Sequence, residues 1–374
     1  MVISVGIDLG ESLTKINYKV NNESALRWMA MHPGFARVEE RELTHVLNSS
    51  SAFGVKNVNS QMWITTLEGN IALGKMAEKF VVRRNSKKPK YEDAVAKIMG
   101  AIAKIAVLHE ISLKKIEVNL SLLLPFEEKE DKNLLMEILK EDLKSYHFCG
   151  QAVKVKLKSI KINSEGTGLL FLRAKEKGVH WIGDRNLAVI MLGHRNVSVV
   201  SLEKGTIANA KSPLLGFENL IDQTLSSLSG VESQKLVSAF WETVNMTEEK
   251  RFQKYPKWSK YEPIQKLATA HSPSLRNSEI EKIEDALDFS LQQYEKKLKM
   301  LFEDVLSLDL DEVIVGGGNR TLMHGFLKEY FGNSTVIISA TKTIRKIREE
   351  LGMESYEHLK FAERFLDIYG YCNS

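Results

Sequence analysis

The sequence predicts an α/β protein made of two similar lobes. Its 374 residues exceed one ordinary hydrophobic core and fit two units of about 150–200 residues each. Each half opens with a strand, a glycine-containing turn and a second strand, and each half later runs from an amphipathic helix into a short apolar strand. Helix–strand alternation of this kind is typical of a mixed sheet covered by helices.

The two strand hairpins are the clearest internal repeat in the chain. Residues 2–20 form two β-branched-rich runs around a polar turn at 10–13. Residues 187–192 and 197–202 repeat the arrangement around a turn at 193–196, and a third strand is expected at 206–210. Repetition of one strand pattern at the start of each half predicts two lobes of the same design.

The helix–strand pairs support the same division. Apolar residues at steps of three and four predict a helix around 95–105, followed by a strand at 116–124 that ends at Pro125. A longer apolar stripe at 280–305 leads into a strand at 312–315. We expect a first lobe of residues 1–155 plus 345–374, with an inserted subdomain at about 30–85. The second lobe is then 156–344, with an insertion at about 225–275.

Composition excludes several classes of protein. The net charge of +4 and the pI of about 8.7 are too mild for nucleic-acid binding by the whole surface. Cys149 and Cys372 lie far apart and match no metal-ligand spacing, which fits a reduced, cytoplasmic protein. No apolar run approaches the ~20 residues that a membrane span needs, so we expect no membrane partner.

The first candidate site is the segment GIDLGESLTK, residues 6–15. A strand that delivers Asp8 into a turn with Gly10 and Ser12 can bring backbone N–H groups and a hydroxyl against phosphate oxygens. Thr14 can add a second hydroxyl, and Lys15 can return a positive charge to the same phosphates. Asp8 is suited to a magnesium-bound water. An ordinary hairpin turn is the alternative.

The second candidate site is DEVIVGGGNR, residues 311–320. Gly316, Gly317 and Gly318 follow a buried strand and precede Asn319 and an expected helix, so a nucleotide could lie against the backbone there. The alternative is a flexible strand–helix loop. Two further segments are the hairpin turn at Gly193 and residues 162–171, where Glu165 precedes a short helix. A lone glutamate at that place is more often a helix cap.

In this order and spacing, the four segments resemble the motifs of the actin, heat-shock-chaperone and sugar-kinase ATPase superfamily. The layout is similar to that of the ParM/StbA plasmid-segregation actins, whose closing helix resembles residues 361–371. The resemblance implies two ribonuclease-H-like lobes with a nucleotide cleft between them. It implies ATP, with GTP possible, and Mg²⁺ as cofactors. Glu165 would orient the attacking water, and Gly193, His194 and Arg195 would form the second phosphate loop.

Two positions depart from that family pattern. The aspartate of the second loop is replaced by Met191, and the hydroxyl residue after the first glycine is replaced by Glu11. Loss of the aspartate implies slow hydrolysis. Glu11 either caps the turn toward solvent or joins Asp8 in holding Mg²⁺ through water.

The resemblance implies a protein that self-associates into filaments, for plasmid or DNA segregation or for cell organisation. A DNA-binding adaptor protein is a possible partner, and direct sequence-specific DNA binding is not expected. A small-molecule kinase and a non-polymerising ATP-gated binding module are the alternatives.

Two basic stretches leave alternatives open. Residues 79–90 are either a solvated loop or a contact with an acidic neighbour or DNA phosphate. The aromatic and basic residues of 240–261 either stack bases or form a local core with a subunit interface.

Overall fold

A computed structural model of the chain describes residues 1–21, 23–51, 61–80, 91–129, 131–247, 255–332, 335–338, 341–353 and 362–373. The chain divides into two compact units. The first is Met1–Leu172 with Thr341–Ser374, and the second is Arg173–Ala340. The sequence-based boundary at 155/156 differs from this division because residues 155–164 form a strand that pairs with Ile116–Leu124 of the first unit.

The first unit contains ten described strands. They are β1 (Val2–Leu9), β2 (Thr14–Val20), β3 (Arg27–Met31), β4 (Phe35–Val38), β5 (Met62–Thr66), β6 (Gly69–Leu73), β7 (Ile116–Leu124), β8 (Tyr146–Phe148), β9 (Gln151–Val153) and β10 (Val155–Ser164). Five form a main sheet in the order β10-β7-β1-β2-β3. The first three strands in the chain run antiparallel, and β7 and β10 run parallel to β1. β1 is buried almost throughout because helices cover it.

The helices of this unit pack on its sheets and contribute to its core. The predicted stripe lies on the helix Tyr91–Leu108, where Ile98, Ile102 and Ile105 are fully buried. The remaining helical segments are Glu40–Ser51, Gly74–Lys79 (3₁₀), Phe126–Lys129 (3₁₀), Lys132–Asp142, Thr167–Lys177, Thr341–Glu350, Glu363–Phe365 (3₁₀) and Leu366–Cys372. The last, here called the C-terminal helix, packs against β1 and β2.

A second, smaller sheet in the first unit has the order β4-β6-β5-β8-β9. Three of its strands lie in the predicted insertion at about 30–85, but β8 and β9 come from residues 146–153, which the sequence analysis did not assign. Their turn is formed by Cys149 and Gly150, both with positive φ (48° and 80°). That backbone matches the two-residue hairpin turn with the right-handed twist of paired strands.

The second unit repeats the topology of the main sheet. Its strands are β11 (Asn186–Leu192), β12 (Val197–Glu203), β13 (Thr206–Lys211), β14 (Glu312–Gly316) and β15 (Thr335–Ile338). The order is β13-β12-β11-β14-β15, again with three antiparallel strands followed by two strands parallel to the first. The repeated strand hairpin seen in the sequence is therefore part of a repeated five-stranded sheet.

The helices of the second unit pack on this sheet and on each other. They are Val179–Gly183, Phe217–Ser226, Ser233–Thr247, Trp258–Lys260 (3₁₀), Glu262–Gln265, Pro273–Val305 and His324–Phe331. Phe240 and Trp258 are fully buried and stack with ring centroids 4.9 Å apart. The base-stacking interpretation of residues 240–261 is therefore wrong for these two rings, which belong to the core.

Some predicted segments lie outside the described residues. These are 81–90 of the first basic stretch and 248–254 of the aromatic–basic stretch. Within the described part of the chain, no helix combines the length and apolar character needed to cross a bilayer.

Candidate functional site

In the first unit, the predicted phosphate loop is the turn between β1 and β2. Asp8 and Lys15 lie opposite each other in the strand register and form an ion pair. Asp8 is 3% exposed, so Lys15 supplies the charge that a buried carboxylate requires. A Cβ atom on Gly10 would lie 2.7 Å from the carbonyl oxygen of Leu13 and 3.4 Å from Lys15 Nζ. Glycine at this position therefore allows the turn to close tightly around the lysine.

Arg364 joins this turn from the segment just before the C-terminal helix. Its Nη2 donates a hydrogen bond of 2.6 Å to Ser12 Oγ. Burial lowers the pKa of Arg364, and the negative charge of Asp8 opposes that shift. Since guanidinium groups remain protonated in proteins, Arg364 adds a second fixed positive charge beside the turn.

Asp367, one helical turn after Arg364, anchors the segment that contains Glu165. Its carboxylate accepts hydrogen bonds from the backbone N–H groups of Gly166 (2.7 Å), Gly168 (2.8 Å) and Leu169 (3.3 Å). These are among the first N–H groups of the helix Thr167–Lys177, which have no partner inside the helix. Asp367 thus caps this helix from a segment almost 200 residues further along the chain.

The same helix and the C-terminal helix approach backbone to backbone. A Cβ atom on Gly168 would lie 1.7 Å from the carbonyl oxygen of Asp367, and one on Gly370 would lie 2.1 Å from the carbonyl oxygen of Gly168. Glu165, two residues before the first residue of the helix, is half-buried. Its charge contributes to raising the pKa of Asp367, so the two carboxyl groups lie within electrostatic reach.

Two predicted residues of the first loop are placed differently from Lys15. Thr14 is fully buried, and its Oγ1 has no hydrogen-bond partner in the described part of the chain. Because neighbouring strand residues point to opposite faces, its side chain points away from the face that carries Lys15. Glu11 is partly exposed in the turn.

The carboxyl groups of this region determine how it could hold a metal ion. Burial raises the pKa of Asp367 to about 7, the N–H donors of Gly166 and Gly168 oppose the shift, and the charges of Asp8 and Glu165 add to it. Among the described residues, no group of three or more potential ligands could hold a metal ion alone. Mg²⁺ is ordinarily bound through one or two carboxylates with substrate phosphates and water, and Asp8 fits that limited role.

In the second unit, the structure brings two predicted loops together. Asn319 is 3% exposed, and its Nδ2 donates a hydrogen bond of 2.6 Å to the carbonyl oxygen of Gly193. Gly317 has a φ of +94°, and a Cβ atom there would lie 2.3 Å from the carbonyl oxygen of Leu192. The triple-glycine turn is therefore packed against the end of β11, and Gly318, with no atom within 4 Å of its Cβ position, faces open space.

The carbonyl groups of the turn after β11 are already used within the unit. Those of Gly193, His194 and Arg195 accept hydrogen bonds from the N–H groups of Phe217 (3.1 Å), Glu218 (2.9 Å) and Gly216 (2.8 Å). They cap the N-terminus of the helix Phe217–Ser226 and hold the turn in place.

The side chains of this turn do not all project toward a ligand. Arg195 is 7% exposed, and its Nε donates a hydrogen bond to Asn196 Oδ1 (2.8 Å). The His194 ring lies 5.8 Å from that of Phe217. Met191 is half-buried at the end of β11, opposite Gly316 in the parallel register.

Sequence reasoning missed Arg364 and Asp367 as site residues. A signal was present, because two opposite charges three residues apart in a largely apolar segment share one helix face. It also missed a cavity of about 840 Å³ in the second unit, lined among others by Tyr255, Glu295, Lys299 and Leu322. Leu322 follows the triple-glycine turn by four residues, and Tyr255 belongs to the aromatic and basic stretch 240–261, but no pattern in the sequence placed them beside Glu295.

Comparison with solved structures finds similarity over nearly the whole chain. The actin-like protein Alp7A has a TM-score of 0.65 at 11% identity, covering 100% of this chain and 95% of the other. A 15-stranded ParM filament from Clostridium botulinum has a TM-score of 0.58 at 13% identity, with 99% and 98% covered. ParM of Bacillus thuringiensis with ATP has a TM-score of 0.54 at 13% identity, with 100% and 99% covered.

No protein-family model matches the sequence, and no curated protein is significantly similar to it. At 11–13% identity, the similarity lies in the arrangement of the strands and helices and not in the residues. The fold class predicted from the sequence is confirmed: the chain has the actin-like fold shared by Alp7A and the ParM proteins.

Proposed function

We propose that this chain binds ATP with Mg²⁺ and assembles into filaments in the cytoplasm. The observation that supports this proposal most strongly is the near-complete coverage, in both directions, of a ParM filament subunit and of ParM with ATP. A partial match would fit a shared nucleotide-binding lobe, whereas a match over the whole chain includes the smaller subdomains as well.

In the first unit, Lys15 and Arg364 are proposed to contact the phosphates. Both lie at the β1–β2 turn, and the small Gly10 leaves room for backbone N–H groups to approach a phosphate oxygen. Ser12 and Glu11 belong to the same turn. Thr14 is omitted because its side chain faces the core.

Magnesium is proposed to be held mainly by the phosphates, with Asp8 and Glu11 contributing through water. The turn lies near three carboxyl groups, those of Asp8, Glu165 and Asp367, so a triphosphate would meet negative charge there. A divalent cation offsets that repulsion.

In the second unit, the triple-glycine turn is proposed to contact the nucleoside, and the turn at Gly193 is proposed to face the phosphates. Gly318 is open toward solvent, and Asn319 fixes the two turns relative to each other. The cavity that includes Leu322 and Tyr255 is the proposed place for the base. Arg195 is proposed to stabilise the conformation of the turn, because its side chain is buried and hydrogen-bonded within the unit.

Hydrolysis is proposed to be slow. Bound Mg²⁺ would polarise the terminal phosphate, and Glu165 would orient water. The position opposite Gly316 is Met191, whose thioether cannot hold a metal-bound water. Filament growth would then depend on nucleotide binding more than on its turnover.

Nucleotide binding is tested by comparing Gly317→Val with Gly183→Ala, which lies outside the proposed site. A side chain at Gly317 meets the backbone of Leu192 at 2.3 Å, whereas one at Gly183 meets nothing within 4 Å. We expect ATP–Mg²⁺ to raise the melting temperature of the wild type and of Gly183→Ala, but not of Gly317→Val. If ATP stabilises Gly317→Val as strongly as the wild type, the pocket lies elsewhere.

Filament assembly is tested by light scattering, sedimentation and negative-stain microscopy at tens of micromolar protein. We expect polymers with ATP and with a non-hydrolysable analogue, and none without nucleotide. Flat scattering with ATP, GTP and analogues would favour a non-polymerising ATP-gated module. Phosphorylation of a small-molecule substrate would favour a kinase of the same fold.

The cellular role is proposed to be plasmid or DNA segregation, or cell organisation. A DNA-binding adaptor is the proposed partner, and co-sedimentation with filaments is the way to identify it.

A further inference from the structure

A groove on the first unit concentrates positive charge. It has a volume of about 880 Å³, and its lining contains seven lysines and two glutamates, a net charge of +5. The whole chain carries +4, so all residues outside the groove together carry −1. Clustered like charges repel each other, and an anionic partner would relieve that repulsion. The arrangement therefore favours binding of an anion.

Most of these lysines have no internal counter-charge. Lys144 pairs with Glu141 at 2.7 Å, and Lys158 pairs with Glu117 at 3.5 Å, which uses both glutamates of the lining. In the described ranges of the chain, no carboxylate forms an ion pair with the other five, which are Lys114, Lys115, Lys140, Lys154 and Lys156. All seven lysines are exposed.

The backbone of the groove is fixed by hydrogen bonds between its segments. Lys154 N donates to Leu113 O (2.8 Å), Ile116 N to Lys154 O (3.2 Å) and Val155 N to Leu143 O (2.9 Å). The turn before β7, the end of the helix Lys132–Asp142 and the start of β10 are thus joined. Their lysines project from a framework that is already in place before a partner binds.

Protection of a sheet edge explains only part of the cluster. β10 is an edge strand of the main sheet, and lysines on edge strands commonly prevent edge-to-edge pairing. That role accounts for Lys156 and Lys158. Lys114, Lys115, Lys140 and Lys154 lie outside β10 and need another explanation.

We propose that this groove binds the phosphate backbone of double-stranded DNA. Lysine binds phosphate as a point charge, and the closely spaced phosphate charges of a duplex complement a groove lined by seven lysines. The groove contains no arginine. It also contains no aromatic residue to stack unpaired bases, and no arginine, asparagine or glutamine to read base edges. Binding would therefore be independent of sequence.

RNA is disfavoured by the same lining. Recognition of duplex RNA relies on contacts with 2′-hydroxyl groups. The only hydroxyl side chain in the lining is Ser159. Its single proton is already donated to Asn119 Oδ1 at 2.8 Å, so it can only accept a hydrogen bond from a 2′-hydroxyl group.

The test is fluorescence anisotropy of a fluorescein-labelled 20-base-pair DNA with the full chain, without nucleotide, so that the result does not depend on filament assembly. Five phosphate contacts predict a slope of log K against log salt of about −4.5, or a loss of roughly 500-fold between 50 and 200 mM KCl. Lys114→Gln/Lys140→Gln/Lys156→Gln should make the slope less steep by about 2.7.

The matched control is Lys235→Gln/Lys266→Gln/Lys282→Gln, which removes the same charge from exposed positions of the second unit. It should bind DNA as the wild type does. The single variants Lys140→Gln and Lys156→Gln, each reducing the slope by about 0.9, repeat the test should the triple variant fold poorly.

Three results would overturn the proposal. One is the absence of DNA binding by the wild type at 50 mM KCl. Another is equal weakening by the control triple variant, which would indicate net charge alone. The third is binding of polyglutamate in preference to DNA, which would indicate an acidic protein partner. Because nucleotide is absent, none of these results bears on ATP binding or filament assembly.

Discussion

Replacement of Asp367 gives the most informative test of how the first unit is held together. The carboxylate is 2% exposed and accepts three backbone N–H groups at the start of the helix Thr167–Lys177. Asp367→Ala leaves these donors buried without an acceptor. At about 1–3 kcal/mol for each unsatisfied group, we expect the free energy of unfolding to fall by at least ~3 kcal/mol.

Asp367→Asn keeps one acceptor oxygen and removes the ionisation. At pH 4.5, where the Asp367 carboxyl is protonated, we expect a smaller loss in the free energy of unfolding, about 1–2 kcal/mol, and the variant should differ from the wild type in its dependence on pH. The pKa of Asp367 is raised from 3.8 to about 7 by burial, with Asp8 and Glu165 adding to the shift. The folded state therefore holds a proton between pH 4 and 7 that the unfolded state has released.

The sign of the effect follows from this difference in bound protons. Stability from the protonated group is fully present below pH 4 and is lost as the pH rises through 7. A shift of about three pKa units corresponds to at most ~4 kcal/mol. We therefore compare the free energy of unfolding of the wild type with that of Asp367→Asn. The difference, wild type minus variant, should fall by up to ~4 kcal/mol between pH 4 and 7.

The assay is urea unfolding from pH 4.5 to 8 for the wild type, Asp367→Asn and Asp222→Asn, in which Asp222 is exposed on the helix Phe217–Ser226. Asp222→Asn should follow the wild type at every pH. Parallel curves for the wild type and Asp367→Asn would refute the reasoning, because they would show that Asp367 stays ionised in the folded protein.

Three further predictions concern the site. Gly168→Ala places a Cβ atom 1.7 Å from a backbone oxygen, while the Cβ atom of Gly183→Ala meets nothing within 4 Å. In urea unfolding, the free energy of unfolding should fall by at least ~3 kcal/mol for Gly168→Ala and change by no more than ~0.5 kcal/mol for Gly183→Ala. Met191→Asp should raise the rate of phosphate release, by up to the order of 10²–10⁴ that a positioned acid–base group contributes, and an unchanged rate would show that this position does not limit the chemistry. Glu11→Ser should weaken the magnesium dependence of ATP affinity, measured by titration at fixed ATP; the same magnesium requirement and turnover as the wild type would make Glu11 a turn residue only.

The elements that the sequence predicted depend on patterns of neighbouring residues. β-Branched runs around Gly10 and Gly193 specified the two hairpins, and apolar residues at helical spacing specified the helices Tyr91–Leu108 and Pro273–Val305. Because both halves carry the same pattern, the repeated sheet could be inferred without knowing any long-range contact. The triple-glycine turn was found for the same local reason, since three consecutive glycines directly after an apolar strand are visible in the sequence itself.

The tertiary structure decided which distant segments of the chain contact each other. The strands β8 and β9 have three residues each, too few for a periodic signal, and they are stable because they extend the small sheet. Asp367 and Arg364 reach the first-unit loops across about 200 and 350 residues of chain. Burial and hydrogen-bond partners are properties of the folded chain, so residue type alone could nominate these side chains but could not assign their contacts.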